Sequence, residues 1–186
     1  MLVSPFKNLS KKQEQKFTFL LIFSTALLLM SMLYLDSFLK NDVCKHGIVS
    51  FQLAKDITTS NEIINSWNQT SQIACGISLG LDFLFLISYP LLISILIHSL
   101  NEKLWLKSSI YNFSVILIFS LGFAALFDAI ENIGLIQLLL GDIKQIWSSI
   151  AYYFAIPKFV IIVFGIIYIL FNFVYSLFQK NHNEIL

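Results

Sequence analysis

Four apolar stretches, each long enough to cross a bilayer, take up well over half of this chain and leave few folds open to it. A crossing helix needs about 20 apolar residues. The first stretch, residues 17–35, supplies 19, with only Thr18, Ser24, Thr25, Ser31 and Tyr34 as polar interruptions. The others run over about 73–97, 110–140 and 147–178. The last two exceed the minimum, so they tilt or reach a turn or two past the hydrocarbon. Two short links, Asn101-Glu102-Lys103 with Lys107 and Gly141-Asp142-Ile143-Lys144, make consecutive helices antiparallel neighbours. The expected fold is all-α: a polytopic membrane four-helix bundle, one integral membrane domain over residues 1–186, with a single long outer loop. Composition agrees, because 57% of the chain is hydrophobic and 12% charged, about half the charge of a soluble domain.

The same charges exclude one function class and set an orientation. Twelve Lys face eleven Asp plus Glu for a net +1, with no Arg, so no basic face exists to grip a nucleic-acid backbone. Lys7, Lys11, Lys12, Lys16, Lys103, Lys107 and Lys180 fall on one side of the bundle; Lys40, Lys45, Lys55 and Lys144 fall on the other. The positive-inside rule therefore predicts both termini in the cytoplasm. Trp105 and Trp147 fall at span ends, the headgroup level that amphipathic rings favour. The first stretch runs through Met30, Met32, Leu33 and Tyr34 without a small-residue cleavage site, which reads as a retained anchor rather than a signal peptide.

Residues 37–72 form the only sizeable connection, on the outer face by this count. Gly47-Ile48-Val49-Ser50-Phe51-Gln52-Leu53-Ala54 is a short apolar run. Thr59-Ser60-Asn61-Glu62 reads as a capping box that opens a short amphipathic helix carrying Ile63, Ile64 and Trp67 on one side. Such a helix either seals the loop at the interface or covers the bundle mouth as a lid. Cys44 in the loop and Cys75 at the start of the second span would meet an oxidising compartment, so a disulfide between them is permitted; the alternative is two small buried apolar residues. Asn68-Gln69-Thr70 fits a glycosylation sequon, which matters only on a eukaryotic secretory route.

Four ionisable residues fall well inside the apolar stretches: Asp82, Asp128, Glu131 and Lys158. An ionised side chain at the bilayer centre costs ~2.5 to 3.5 kcal/mol even on the lenient insertion scale, so the four are expected to face one another or water. Asp128 lies fifteen residues before the turn near residue 143 and Lys158 fifteen after it, which brings both to about 22 Å from that turn at 1.5 Å per residue. Asp82 reaches a similar depth. Asp128, Glu131 and Asn132 stand at i, i+3 and i+4 on one helix face. On the second span Ser78, Asp82 and Tyr89 share a stripe, and Ser78 and Tyr89 are placed to hydrogen-bond Asp82 or a water. Pro157 lacks an amide hydrogen, frees a carbonyl one turn earlier and opens polar space beside Lys158.

Three acids and one lysine in a low dielectric cannot all be ionised without partners. The expected state is one carboxylate paired with Lys158 and at least one acid protonated, a composition suited to a proton relay or proton-coupled binding. The bland alternative is an Asp128–Lys158 pair that fixes helix register. No GxGxxG, P-loop, GxSxG or HExxH pattern occurs, so no cofactor is expected. His46, His98 and His182 are too scattered for a metal site, and Asp128-Ala129-Ile130-Glu131-Asn132 lacks the His or second-helix Glu that a bundle metal centre needs.

At Gly47–Ala54, Trp67, Gly80-Leu81-Asp82-Phe83-Leu84-Phe85 with Tyr89, Asp128-x-x-Glu131-Asn132 and Lys158-Phe159, the chain resembles a group of small bacterial four-span membrane proteins of uncharacterised activity. The resemblance covers residues 47–165. It implies the same topology and a bacterial inner membrane, and it marks the same polar positions. That group usually has Glu where this chain has Gln52. By architecture alone the chain is also similar to the emopamil-binding and sigma-2-receptor type, whose bundle cavity takes sterol-like or cationic amphiphilic ligands and whose second-span acid would correspond to Asp82.

Three functions fit these features. The leading expectation is a binding or transport-like protein in which Asp82, Asp128, Glu131, Asn132, Lys158, Tyr89 and Ser78 hold a polar or cationic small molecule, or a lipid group, in a proton-linked way. The second is a membrane-embedded enzyme doing acid/base chemistry on a lipid, with Glu131 or Asp128 as proton donor and Lys158 stabilising negative charge. The third is an accessory subunit whose aromatic third and fourth spans face copies of itself or a membrane-complex partner. Membrane lipid is a partner in all three.

Overall fold

The computed structural model describes residues 2–106 and 108–183, with side chains to residue 178; Lys107 and the side chains of Lys180 and His182 lie outside that description. Six helices follow in order: α1 (Lys11–Asp36), α2 (Ile48–Gln52), α3 (Ile57–Ser66), α4 (Gln69–Leu104), α5 (Ser109–Leu139) and α6 (Gln145–Asn183). No strand occurs among the described residues. α1, α4, α5 and α6 are long and apolar enough to cross a membrane, so the chain is an all-α integral membrane protein built as a four-helix bundle.

The helices outrun the apolar stretches that signal them. α4 begins at Gln69 and ends at Leu104, several residues beyond the apolar limits at both ends; Asn68 caps its start by accepting from the Ser71 amide at 2.9 Å. α1 starts at Lys11, where a capping box joins Ser10 to Gln13: Ser10 Oγ accepts from the Gln13 amide and Gln13 Oε1 accepts from the Ser10 amide. Lys11, Lys12 and Lys16 are therefore helical. The expected box at Thr59–Glu62 is not the start of α3. Asp56 is the cap, accepting from the Thr59 amide at 2.9 Å and the Thr59 hydroxyl at 3.0 Å, and a carboxylate at that position outcompetes Thr59 for the helix start.

α4 is the hub, packing against α1, α5 and α6, and α5 and α6 form the largest interface. Close approach along it uses small residues. Gly134 has so little room that an added Cβ would lie 3.0 Å from the Trp147 carbonyl, and at the α4–α6 contact one on Gly165 would lie 2.9 Å from Ile93 Cγ2. α1 is peripheral: 6% of its most apolar window is buried, against 39% for α4. It packs on α4 and forms no comparable interface with α6.

The connection between α1 and α4 folds down as a rigid cap. Phe51, Ile63, Ile64 and Trp67 share one core with Leu79, Leu135, Leu138 and Ala151 at that end of the bundle. Polar groups pin it from several sides: Trp67 Nε1 donates to the Leu39 carbonyl at 2.9 Å, Gln145 holds both the Ile57 amide and the Lys55 carbonyl, and the Ser60 and Ser148 hydroxyls meet at 2.8 Å. Between α1 and α2 the chain turns at Gly47, φ +58°, where an added Cβ would fall 2.0 Å from Asp36 Oδ1. Only glycine fits there, and Asp36 in turn accepts from the Ile48 amide at 2.7 Å and pairs with Lys40 at 3.0 Å.

The opposite end carries both termini. Residues before α1 are more than a tail: Ser4 and Phe6 are buried, Phe6 lies against His98 with ring centroids 5.7 Å apart, and the Leu2 amide donates to Asn112 Oδ1 at 2.9 Å. Trp105 stacks on Tyr175 and donates to Asn172 Oδ1 at 2.6 Å, tying the α4–α5 link to α6.

Candidate functional site

The equal chain lengths on either side of the α5–α6 turn bring Asp128 and Lys158 to one level, and the antiparallel pairing of those helices turns them towards each other. Lys158 Nζ lies 2.9 Å from Asp128 Oδ1 and 2.5 Å from Glu131 Oε2, one turn along the same face of α5. Asp82 on α4 joins from the third side through Asn132, whose Nδ2 donates to Asp82 Oδ2 at 2.7 Å. Tyr89, two turns along α4 from Asp82, donates from its hydroxyl to Asp128 Oδ2 at 3.1 Å. Side chains from three helices thus form one ionic layer.

Burial gives that layer its weight. Asp82, Asp128 and Lys158 are 6%, 3% and 3% exposed, and Glu131 and Asn132 have no exposed surface. Lys158 carries the one positive charge in the layer against three carboxyls, and Asp128 and Glu131 both engage it. Among the described residues Glu131 Oε1 and Asn132 Oδ1 are buried without a hydrogen-bond partner, so the layer is not closed on itself. Lys158 Nζ also lies 4.7 Å from the centroid of the Phe159 ring, a distance at which the ring face attracts an ammonium.

A cavity of about 320 Å³ opens on this layer. Asp82, Tyr89, Asp128 and Lys158 form its polar wall, and Phe85, Ile93, Phe159, Ile162 and Ile166 continue it as an apolar slot towards the end with the termini. Glu131 and Asn132 stand behind that wall and do not line the cavity. Two of the expected contacts differ. Tyr89 bonds Asp128 rather than Asp82, because two turns of α4 carry its hydroxyl past Asp82 to the α5 carboxylate. Ser78 is buried one turn towards the cap, and among the described residues no hydrogen bond joins it to Asp82.

Sequence reasoning missed two polar lining residues. Gln52, 7% exposed, reaches the cavity from the last turn of α2, and Thr25 reaches it from the middle of α1. The first carried no signal beyond its place in the short apolar run Gly47–Ala54. The second carried none, because a threonine in an apolar helix ordinarily bonds its own backbone.

Cys44 and Cys75 are free thiols with no exposed surface, both in the core under the cap. The Cys44 thiol donates to the Gly47 carbonyl at 3.1 Å, and burial pushes its pKa up, so it stays un-ionised at neutral pH and is a poor nucleophile. Among the described residues no three His, Cys, Asp or Glu side chains converge as a set able to hold a metal ion. Compared with protein-family models, with curated proteins and with solved structures, the chain matches none.

Proposed function

We propose that the protein is a small binding protein of a bacterial inner membrane, transport-like or receptor-like, with both termini in the cytoplasm. Its mid-depth cavity takes a polar or cationic group in exchange for protons. The observation that supports this is the surplus of acid: three carboxyls meet a single lysine beside one cavity, all of them at most 6% exposed. Fixing helix register requires one acid and one base. Two further carboxyls in a low dielectric stay neutral by holding protons or are balanced by a bound cation, so cation entry and proton release become two sides of one equilibrium. The lysine bias of seven against four supports the orientation, and the likeness to small bacterial four-span proteins supports the membrane.

The test is binding of a dansyl-labelled long-chain primary amine to protein reconstituted in nanodiscs, read across pH 5 to 9. Wild type is expected to bind saturably and to release protons into a weakly buffered medium. Asp82→Asn and Asp128→Asn are expected to insert normally yet lose at least tenfold in affinity or lose the pH dependence. Wild-type binding by both variants would overturn the proposal.

A further inference from the structure

A second polar layer lies between the ionic layer and the end with the termini, and it is neutral. Asn101 of α4 and Ser114 of α5 have no exposed surface, and both donate to the Tyr111 carbonyl, Ser114 at 2.8 Å and Asn101 only at 3.4 Å. Tyr168 of α6 is nine-tenths buried and brings its hydroxyl up beside the Ser114 side chain. Among the described residues Asn101 Oδ1 and Tyr168 Oη have no hydrogen-bond partner, and neither does Nδ1 of the buried His98, one turn before Asn101. Buried polar atoms are almost always paired, so three orphans in one region of a bundle call for a group that completes them. That group must both donate and accept, because the Asn101 oxygen only accepts whereas the Tyr168 hydroxyl does either. Water meets the requirement, since one buried in a polar site makes about 3 such bonds.

The two sides of this neutral layer differ. Towards the aqueous end it is continuous: the Tyr111 hydroxyl donates to Glu102 Oε1 at 2.9 Å, and both residues line a cleft of about 480 Å³ together with Lys7. Towards the ionic layer it is interrupted by an apolar girdle. A Cβ added to Gly165 of α6 would lie 2.9 Å from Ile93 Cγ2, 3.7 Å from Leu121 Cδ2 and 4.0 Å from Ile97 Cδ1, so three helices close on one another there. Ile97 and Leu121 have no exposed surface, while Ile93 also lines the cavity that opens on Asp82 and Asp128. The girdle is therefore the floor of that cavity. On α6, Gly165 follows Lys158 by seven residues and precedes Tyr168 by three, or roughly 10 and 5 Å along the helix. At the other end the cap is pinned over the bundle by Trp67, Ser71, Gln145 and the Ser60–Ser148 pair.

We infer that Asn101, Ser114 and Tyr168 hold a buried water, and that this site is the exit, towards the end with the termini, for protons released by the ionic layer, with the Ile93–Ile97–Leu121 girdle as its gate. This rests on the proposed proton-linked binding and adds to it the direction of proton release and the residues along the way. When a carboxyl of the layer gives up its proton, the O–H bond breaks there and forms on water admitted past the girdle. The water at Tyr168 passes one proton on as it takes one, so the three side chains end unchanged and the proton reaches the medium beside Glu102. An apolar constriction of this kind blocks charge while dry and passes it once wetted. Polar side chains inside spans serve as such relays where they form a series.

Two measurements on nanodisc-reconstituted protein test this. In the first, the dansyl-labelled long-chain amine is mixed rapidly with protein in a weakly buffered medium and proton release is followed with pyranine. Tyr168→Phe, which keeps the ring against Phe113, and Asn101→Leu are each expected to slow release at least tenfold while the amount released and the probe affinity stay within twofold of wild type. Ile97→Ser is expected to speed release at least threefold. In the second, brief X-ray radiolysis turns bound water into hydroxyl radicals that oxidise adjacent side chains. Tyr168 is expected to be labelled in wild type and labelled at least fivefold less in Asn101→Leu. Release at the wild-type rate by both Tyr168→Phe and Asn101→Leu overturns the exit and leaves the binding function standing. An unlabelled Tyr168 overturns the water site, and an Ile97→Ser variant no faster than wild type overturns the gate. Absence of any proton release by wild type overturns the proton-linked function and the exit together.

Discussion

Carboxylates and lysines gather in two regions of this bundle, and the same residue types mean different things in each. At the end with the termini, Glu14 and Glu102 share a pocket with Lys11, Lys103 and Ser99. Glu14 accepts from the Ser99 hydroxyl, and Glu102 accepts from the Tyr111 hydroxyl at 2.9 Å. Acids and lysines are matched two to two there, and the pocket opens to the aqueous side. At mid-depth three acids face one lysine, and nothing in the layer is more than 6% exposed. Charge at the rim is screened and exchangeable, worth about 0–1 kcal/mol per pair. Charge in the layer is committed, because removing one partner strands the other in a low dielectric.

That contrast is broken most directly by removing one charge from each region. Lys158→Met is expected to destabilise the bundle by about 3–5 kcal/mol, since Asp128 and Glu131 lose their shared cation while staying buried. Glu102→Gln keeps a hydrogen-bond acceptor for Tyr111 and is expected to cost less than about 1 kcal/mol. Unfolding in mixed micelles of increasing SDS fraction, followed by tryptophan fluorescence, gives both numbers. Equal costs would mean that water reaches the layer as it reaches the rim.

An intermediate case sharpens the comparison. Asp36 is 8% exposed at the foot of the cap, where it accepts from the Ile48 amide and pairs with Lys40. It caps a helix and touches a lysine that is itself half exposed. Asp36→Ala is expected to cost about 1–2 kcal/mol, between the layer and the rim, by freeing the start of α2. Because Lys40, Lys45 and Lys55 lie in this connection, the readout is tryptic cleavage within residues 37–56, which is expected to accelerate severalfold while cleavage near Lys103 is unchanged.

The mid-depth layer was legible in the sequence because helix geometry converts spacing into position. Equal counts from the α5–α6 turn put Asp128 and Lys158 at one height, and the i, i+3, i+4 set of Asp128, Glu131 and Asn132 fixed their facing. The cost of a charge in hydrocarbon then required them to meet. The cap was legible only as a length of chain with one amphipathic run. Its N-cap lies three residues before the expected one, since Asp56 and Thr59 are both good caps in isolation and the Asp56 carboxylate, which accepts from both the amide and the hydroxyl of Thr59, takes the helix start. Gln52 and Thr25 lay beyond sequence reasoning for a related reason: each meets the layer through the docking of an element that no periodicity positions, α2 by the Gly47–Asp36 turn and α1 by its contact with α4. Burial of Ser4 and Phe6 before α1 was hidden for the same cause, because short segments without a period gain their place from tertiary contacts alone.

The smallest effect belongs to a charge outside both regions. Asp142, in the turn between α5 and α6, accepts from Lys144 Nζ at 3.1 Å and from Trp147 Nε1 at 2.8 Å. Those hydrogen bonds, Lys144 first and then Trp147, hold its carboxyl below the ordinary carboxylate range. A depressed folded value means that the carboxylate's contribution is fully present above the unfolded value of about 3.9 and is lost as pH falls through the lower folded one. Acid titration of wild type is therefore expected to show a small change in tryptophan emission centred below about pH 4, as the acceptor of Trp147 loses its charge. Asp142→Asn is expected to remove that step and leave stability at neutral pH nearly unchanged, because the amide oxygen still accepts from Trp147 and Lys144 is largely solvated. An emission step of the same size in the variant would assign the change to another acid, and a large loss of neutral-pH stability would place this turn with the buried layer rather than with the screened rim.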